Sequence, residues 1–272
     1  MCGITGYVRV KENITSKQRT LTKCLIQLLL TEIESRGWDA SGYAYVTKAK
    51  SHPLMFKAPI PSSELAASTY LENSLNRYPP RVFIGHARAG TSGTEDFNIN
   101  NHPFVTRSGR MFLVHNGIVH DWKTRDTLEN KLIGGCDTEM IIRLIETHGI
   151  KETLETMSNW NWSSYALLIM DTQKEVLYMF RRNNPIHFVN IPELGGLFIA
   201  SEKQMLERSI KALNIKTKNL KFYTPVHEVL ARVWSRNNQL NEDSCGRYES
   251  TKTYTYMSNN KSKGYNGGMY GV

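Results

Sequence analysis

Along residues 18–34, Leu21, Cys24, Leu25, Leu28 and Leu29 fall at i, i+3, i+4, i+7 and i+8, laying one apolar stripe along a predicted helix. Before it, Gly3 to Val10 is short, partly apolar and β-branched, and predicts a strand. Arg36-Gly37 ends the helix, and Ser41 to Thr47 predicts a second strand. Residues 51–81 hold five prolines and little periodicity, which predicts a surface connection with one short helix from Ser63 to Leu75. Val82 to Arg88 is a compact strand. Met111 to Val119 shows two apolar arms around Asn116-Gly117, a dipeptide that predicts a hairpin turn.

Helical spacing returns from Asp137 to His148 through Met140, Ile141, Leu144 and Ile145. The C-terminal half then reads as strands: Ser164 to Met170, Val176 to Phe180, Ile186 to Val189 and Leu197 to Ala200. A helix from Lys203 to Leu213 and a last strand near Val226 to Trp234 follow. This mixture predicts a layered α+β domain over residues 2–250. From residue 251 to 272 the chain is Tyr, Gly, Ser, Asn and Lys with almost no large aliphatic residue, so a disordered tail is expected there.

Composition changes this picture little. Of 272 residues, 40% are apolar and 22% charged, an ordinary globular balance. No apolar run nears the roughly 18 residues that span a bilayer, and no secretory leader pattern opens the chain. Cys2, Cys24, Cys136 and Cys245 are scattered, without the C-x-x-C pairing of a zinc site or a disulfide framework. The cytoplasm is the expected compartment. The net charge of +9 is concentrated late, with twelve Lys/Arg against six Asp/Glu in residues 201–272. A solvated basic tail is the expected reading, and contact with nucleic acid or an acidic partner the lesser one.

The candidate chemistry begins at Cys2. A small residue in the second position permits removal of Met1, leaving a cysteine with a free α-amine. A thiol attacks only as thiolate, with an ordinary pKa near ~8.5, and an α-amine at about 7.7–8 is a base poised to take its proton. An incidental cysteine beside a fraying terminus is the bland alternative.

Met1-Cys2-Gly3-Ile4-Thr5-Gly6 is followed by Arg36-Gly37-Trp38-Asp39-Ala40-Ser41-Gly42, then Gly85-His86-Ala87-Arg88-Ala89-Gly90-Thr91 and Asn101-His102-Pro103-Phe104. His115-Asn116-Gly117-Ile118 and Cys136-Asp137-Thr138-Glu139 complete the series. In this order and spacing the segments resemble the glutaminase domain of class II glutamine amidotransferases. That family includes glucosamine-6-phosphate synthase, amidophosphoribosyltransferase and asparagine synthetase. The resemblance implies an N-terminal-nucleophile hydrolase fold: a four-layer αββα sandwich of two antiparallel sheets.

The resemblance also implies roles. Cys2 would be the nucleophile, with the Asn116 side chain and the Gly117 N–H forming an oxyanion hole. Arg88 would take the α-carboxylate of L-glutamine, Asp137 its α-ammonium, and Thr91 a further hydrogen bond. Arg36 would hold the N-terminal cysteine, with Gly37 and Asp39 shaping the turn around it. Plainer roles stand beside these: a turn for Asn116-Gly117, an ordinary ion pair for Arg88 and a helix N-cap for Asp137. His86, His102 and His115 lack metal-ligand spacing, so hydrogen bonding is their expected role, and neither metal nor cofactor is expected. Ala89 stands where family synthases often carry an aromatic residue, and Ser92 where some carry histidine.

The expected reaction is glutamine hydrolysis to glutamate and ammonia through a Cys2 thioester. No G-x-x-x-x-G-K-[ST] or G-x-G-x-x-G motif marks a synthase, so a separate synthase chain is the expected acceptor of ammonia. Two alternatives remain open: an N-terminal-cysteine amidohydrolase acting on a γ-glutamyl or other amide, and a non-catalytic interaction module on the same fold.

Overall fold

The structure, a computed structural model, describes residues 1–121, 126–128, 131–160, 163–216, 220–235, 239–244 and 252–255. In chain order the strands are β1 (Gly3–Arg9), β2 (Ala40–Val46), β3 (Leu54–Ala58), β4 (Val82–Arg88), β5 (Phe104–Val105), β6 (Met111–Ile118) and β7 (Ser164–Asp171). They continue with β8 (Val176–Arg182), β9 (His187–Ile191), β10 (Gly196–Ala200), β11 (Phe222–Tyr223), β12 (Val229–Trp234), β13 (Gln239–Ser244) and β14 (Lys252–Thr255). The main helices are α1 (Ser16–Ile33), α2 (Ser62–Ala67), α3 (Thr69–Arg77), α4 (Asp137–Ser158) and α5 (Lys203–Ala212).

Two seven-stranded sheets form, with strand orders β11-β9-β10-β1-β4-β2-β3 and β14-β13-β12-β8-β7-β6-β5. Neighbouring strands in both run antiparallel. Three apolar clusters cement four layers. Tyr7, Phe83, Leu25, Leu29 and Leu206 join the first sheet to α1 and α5. Ile4, Val8, Ile84, Val114 and Leu168 fill the space between the sheets. Leu113, Leu167 and Ile169 meet Ile141 and Ile145 of α4 on the far side. The fold is the expected αββα sandwich.

The reason is visible in β1 and β4. Both are buried along their whole length, so their faces are distinguished not by water but by which layer they meet. Ile4 and Val8, with Val82 and Ile84, point between the sheets, while Tyr7, Phe83 and Ala87 point to the helices. The period-2 alternation of a strand thus sorts side chains between two cores. α1 starts with a reciprocal cap, Thr15 Oγ1 accepting from Gln18 N at 3.2 Å and Gln18 Oε1 accepting from Thr15 N at 2.8 Å. Its fully buried stripe runs Leu25, Ile26, Leu29, Leu30 and Ile33, with Cys24 and Leu28 only half-buried on its flank.

Several expectations are corrected. Asn116-Gly117 is not a hairpin turn: β6 runs straight through it, and Asn116 and Gly117 pair with Ala166 and Tyr165 of β7. Sheet pairing on a long neighbour overrides the local turn preference. The single helix expected at 63–75 is two, because Ser68 leaves helical geometry at ψ 136° and caps α3 through its hydroxyl, 3.2 Å from Leu71 N. β3, which precedes them, was expected to be connection. Asp137 is the first residue of α4, not its N-cap, which is Cys136. That helix continues past His148 through Gly149, whose φ of 78° kinks it. Within the segment expected to be disordered, Lys252–Thr255 pairs with β13. Thr and Tyr suit strands, and an edge strand draws on backbone pairing rather than on a core of its own. Residues 251 and 256–272 lie outside the described residues.

Candidate active site

The alternation that builds the core also builds the site. Carried one residue before β1, the face of Ile4 and Val8 belongs to Cys2, and along β4 it belongs to His86 and Arg88. On β6, Phe112 and Val114 face the same gap, which assigns that face to Asn116. Three strands therefore deliver a thiol, a guanidinium and an amide to one end of the space between the sheets. Cys2 is 8% exposed, Arg88 2% and Asn116 0%.

Cys2 lies against the chain just after β4. Its Sγ is 3.4 Å from Ala89 N, which donates to it, and 3.5 Å from Ala89 O. Burial pushes the thiol above its ordinary value; the Ala89 N–H, the terminal ammonium and Arg88 pull the other way, and Asp137 adds to the rise. Met1 is 74% exposed.

The segment after α1 clasps this corner. Arg36 Nε donates to Cys2 O at 2.9 Å, and its Nη1 forms an ion pair with Glu202 at the start of α5. Gly37 is in extended geometry, and its requirement is space: a β-carbon there would collide with the Arg88 carbonyl and Ala89 N. Asp39 N donates to Arg88 O at 3.0 Å, and Asp39 Oδ2 accepts from Gly90 N at 2.6 Å. The end of β1 is tied down separately by Ser201, whose Oγ accepts from Ile4 N at 2.9 Å.

Arg88 meets only neutral oxygens: Asn101 Oδ1 at 3.0 Å, Ser92 O at 2.6 Å and Gly93 O at 2.6 Å. Among the described residues no carboxylate forms an ion pair with it, so the plain ion-pair role does not hold. Asp137 Oδ2 accepts from Val119 N at 2.8 Å, and Ser92 Oγ stands 3.4 Å from Asp137 Oδ1. Ser92 therefore touches both charged groups, the arginine through its carbonyl and the aspartate through its hydroxyl. Thr91, Ser92, Asp137, Ile118, Val119 and Met140 are among the residues lining a cavity of about 220 Å³. Thr91 itself is exposed at its rim, and Cys2, Arg88 and Asn116 do not line it.

Both polar atoms of the Asn116 side chain are buried without a hydrogen-bond partner. Its backbone oxygen is held by Asn184 Nδ2 at 2.8 Å. Gly117 sits at φ 149°, and a β-carbon there would collide with Ser164 O. Behind them His86 stacks on His102 with centroids 3.8 Å apart. His86 Nε2 bonds His115 O at 2.9 Å, and Thr138 Oγ1 bridges His102 Nε2 at 3.1 Å and His115 Nδ1 at 2.9 Å. Burial lowers all three rings, His86 to about 3, which keeps them neutral props beneath the site. Among the described residues no cluster of potential metal ligands forms.

Residues 75–256 match the family described as glutamine amidotransferase domain. The chain belongs to this family. Relatives include glutamine–fructose-6-phosphate aminotransferase (isomerizing) from Bacillus licheniformis, 29% identical over 196 residues, covering 68% of this chain and 30% of that protein. The enzyme of the same name from Lactococcus lactis is 28% identical over 232 residues, covering 81% and 35%. The chain thus spans about a third of the length of these relatives. Among solved structures, the glutamine phosphoribosylpyrophosphate amidotransferase of B. subtilis shares the fold, with TM-score 0.57 and 18% identity over 95% of this chain and 50% of that one. A structure titled as the allosteric regulatory enzyme of purine biosynthesis gives TM-score 0.59 at the same identity and coverage.

Within this class II amidotransferase domain, the sequence motifs mark the residues that are brought together: Cys2, Arg36, Gly37, Asp39, Arg88, Asn116, Gly117 and Asp137. They give no role to three that the geometry adds. Glu202 pairs with Arg36 across 166 positions, Asn184 holds the Asn116 carbonyl, and Asn101 supports Arg88. Asn101 stands inside a motif, but only its contact reveals what it does. No helix among the described residues is long and apolar enough to cross a membrane.

Proposed function

We propose that the chain hydrolyses the side-chain amide of L-glutamine with the Cys2 thiol. The observation that carries this reading is a buried Cys2 sulfur packed on Ala89, directly after Arg88, with Ser92 linking Arg88 to Asp137, so that one corner holds a thiol and two opposite charges. These are the two charges that the backbone end of a free amino acid would neutralise. Arg88 meets neutral oxygens alone and so retains capacity for a carboxylate, to which a guanidinium binds in two-point fashion. Asp137 accepts closely from Val119 N and only at long range from Ser92 Oγ and Cys136 Sγ, which leaves it capacity for an ammonium, with Thr91 also lining the cavity.

With Met1 removed, the α-amine of Cys2 takes the thiol proton, and the thiolate attacks the amide carbon. The carbonyl oxygen becomes an oxyanion, for which the unpaired Asn116 amide and the Gly117 N–H are the supporting donors. One such donor contributes roughly 2.7–4 kcal/mol in the transition state. The amine then hands its proton to the departing nitrogen, ammonia leaves, and water attacks the Cys2 thioester to release glutamate. Arg36 steadies the terminal residue through the Cys2 carbonyl, and Gly37 and Asp39 hold the Arg88–Gly90 corner against it.

The ammonia has an acceptor in this reading, a synthase unit carried by a separate chain. The reducing conditions of the cytoplasm would keep Cys2 as the free thiol the chemistry needs. The test is ammonia and glutamate release from glutamine by the processed protein. The account expects stoichiometric release that disappears in Cys2→Ala. Glutamine turnover that survives this substitution would end it, and preferential cleavage of γ-glutamyl amides would favour the amidohydrolase alternative.

A further inference from the structure

Lys57 lies on β3, the edge strand of the first sheet, opposite Gly42 of β2. Its Nζ donates to Asn101 O at 2.7 Å and to Pro103 O at 3.3 Å, and it stands 5.2 Å from the centre of the Phe104 ring. Gly42 completes the seat, because a β-carbon there would collide with His102 O. The segment from Asn101 to Pro103 is therefore pressed onto the β2–β3 edge before the chain enters β5 of the other sheet. Burial pulls the Lys57 ammonium down to about 8 against the opposing influence of Cys136 and Glu139. A cation kept in so unfavourable a place is held there by the carbonyls it binds.

Asn101 is a junction. Its Oδ1 accepts from Arg88 Nη1 at 3.0 Å, its Nδ2 donates to Glu95 O at 2.7 Å and Asn98 Oδ1 at 3.2 Å, and its carbonyl accepts from Lys57. The side chain is fully buried. One residue thus connects the Arg88 guanidinium, the loop at 95–98 and the β3 edge, and Lys57 fixes its backbone end.

We propose that Lys57 is a positioning residue for substrate binding, which through Asn101 holds the Arg88 guanidinium in the orientation that receives the glutamine α-carboxylate. This rests on the function proposed above. It predicts a ground-state effect: the carboxylate is bound equally before and during bond breaking, so its loss raises KM and leaves kcat.

The test is steady-state glutaminase kinetics of Lys57→Met, which keeps the aliphatic stem and removes the donor, beside Lys57→Arg, which keeps a cation. Lys57→Met is expected to raise KM for glutamine about fivefold with kcat within about twofold of wild type, as a weakened charged contact predicts. Lys57→Arg is expected to restore KM. Alkylation of Cys2 by iodoacetamide, which carries no carboxylate, should proceed at the wild-type rate in both. If Lys57→Met does not accumulate as folded protein, Lys57→Gln carries the same comparison. Unchanged KM, or a raised KM accompanied by a fall in kcat and in alkylation, overturns the role of Lys57 while an active wild type preserves the functional reading. A wild-type chain inert toward glutamine overturns both.

Discussion

Strand β4 has an arginine at each end, and the two are answered differently. Arg81, just before the strand, is 1% exposed and bound by the Glu12 carboxylate through Nη1 at 2.8 Å and Nη2 at 2.6 Å, with Glu175 3.9 Å from its Nε. Arg88, its last residue, is as deeply buried and touches three neutral oxygens. Seven residues apart, one guanidinium has been given its counter-ion by the chain and the other has not. A buried charge is costly unless it is compensated. The compensated arginine fastens Glu12 and the residues after β1 to the bottom of the sheet. The other precedes Ala89, on whose N–H Cys2 Sγ packs, and is linked to Asp137 through Ser92; in the proposed reaction it is the one left for a substrate carboxylate.

The comparison breaks most sharply if the arginines are exchanged for alanine in turn. Arg88→Ala is expected to lower kcat/KM for glutamine by on the order of 10³-fold, the loss typical of a buried charged contact, with a modest change in the urea midpoint. Arg81→Ala is expected to lower the urea midpoint while the folded fraction keeps its kcat/KM. Equal losses of activity in both variants would remove the distinction.

The same contrast sharpens at Asn116, whose side chain has no partner within the fold. Asn116→Ala is expected to lower kcat by roughly 10²-fold and KM little, because in the proposed reaction the amide acts on an oxyanion that exists only at the transition state. Since the removed atoms are buried and unpaired, stability should hold or rise. A large fall in the urea midpoint would recast Asn116 as structural.

A smaller effect concerns acid. His86 is held to about 3 from an ordinary value of 6.5 by burial. Between those values the unfolded chain binds a proton that the folded chain refuses. Stability from this group is therefore complete above pH 6.5 and drains as pH falls toward 3, by about 2 kcal/mol at pH 5 for one such ring. His102 and His115 are lowered in the same direction. Urea unfolding from pH 7 to pH 5 should show a falling midpoint, and His86→Gln should flatten the slope. A flat profile in the wild type would show that the rings are not buried neutral.

Least disruptive is Asp39→Asn, which keeps an acceptor for Gly90 N. A fewfold change in kcat/KM is expected, since Asp39 bonds Gly90 N and Arg88 O and has no contact with substrate in the proposed reaction.

Much of this was legible in the residues. β1, α1, β2 and β4 stand within a few residues of their expected ends because their apolar patterns are long and flanked by breakers. β3, β5, β11, β13 and β14 leave little trace in the hydrophobic pattern. They are short edge or near-edge strands that pair through backbone, so side-chain periodicity barely records them. Asn116-Gly117 misled for a physical reason. The dipeptide favours a tight turn, yet glycine also permits the φ of 149° that keeps β6 paired to β7. At the site, spacing marked residues that lie together along the chain, such as Arg36, Gly37 and Asp39. It gives no role to Glu202, Asn184 or Lys57, whose partners lie 166, 68 and 44 positions away.

The most direct measurement is the intact mass of the protein before and after exposure to a diazo-ketone analogue of glutamine. The expected product is a chain lacking Met1 that gains one adduct, located on Cys2, with glutamine protecting against it. A chain that retains Met1 and still reacts, or an adduct that forms elsewhere while glutamine is being hydrolysed, would contradict it.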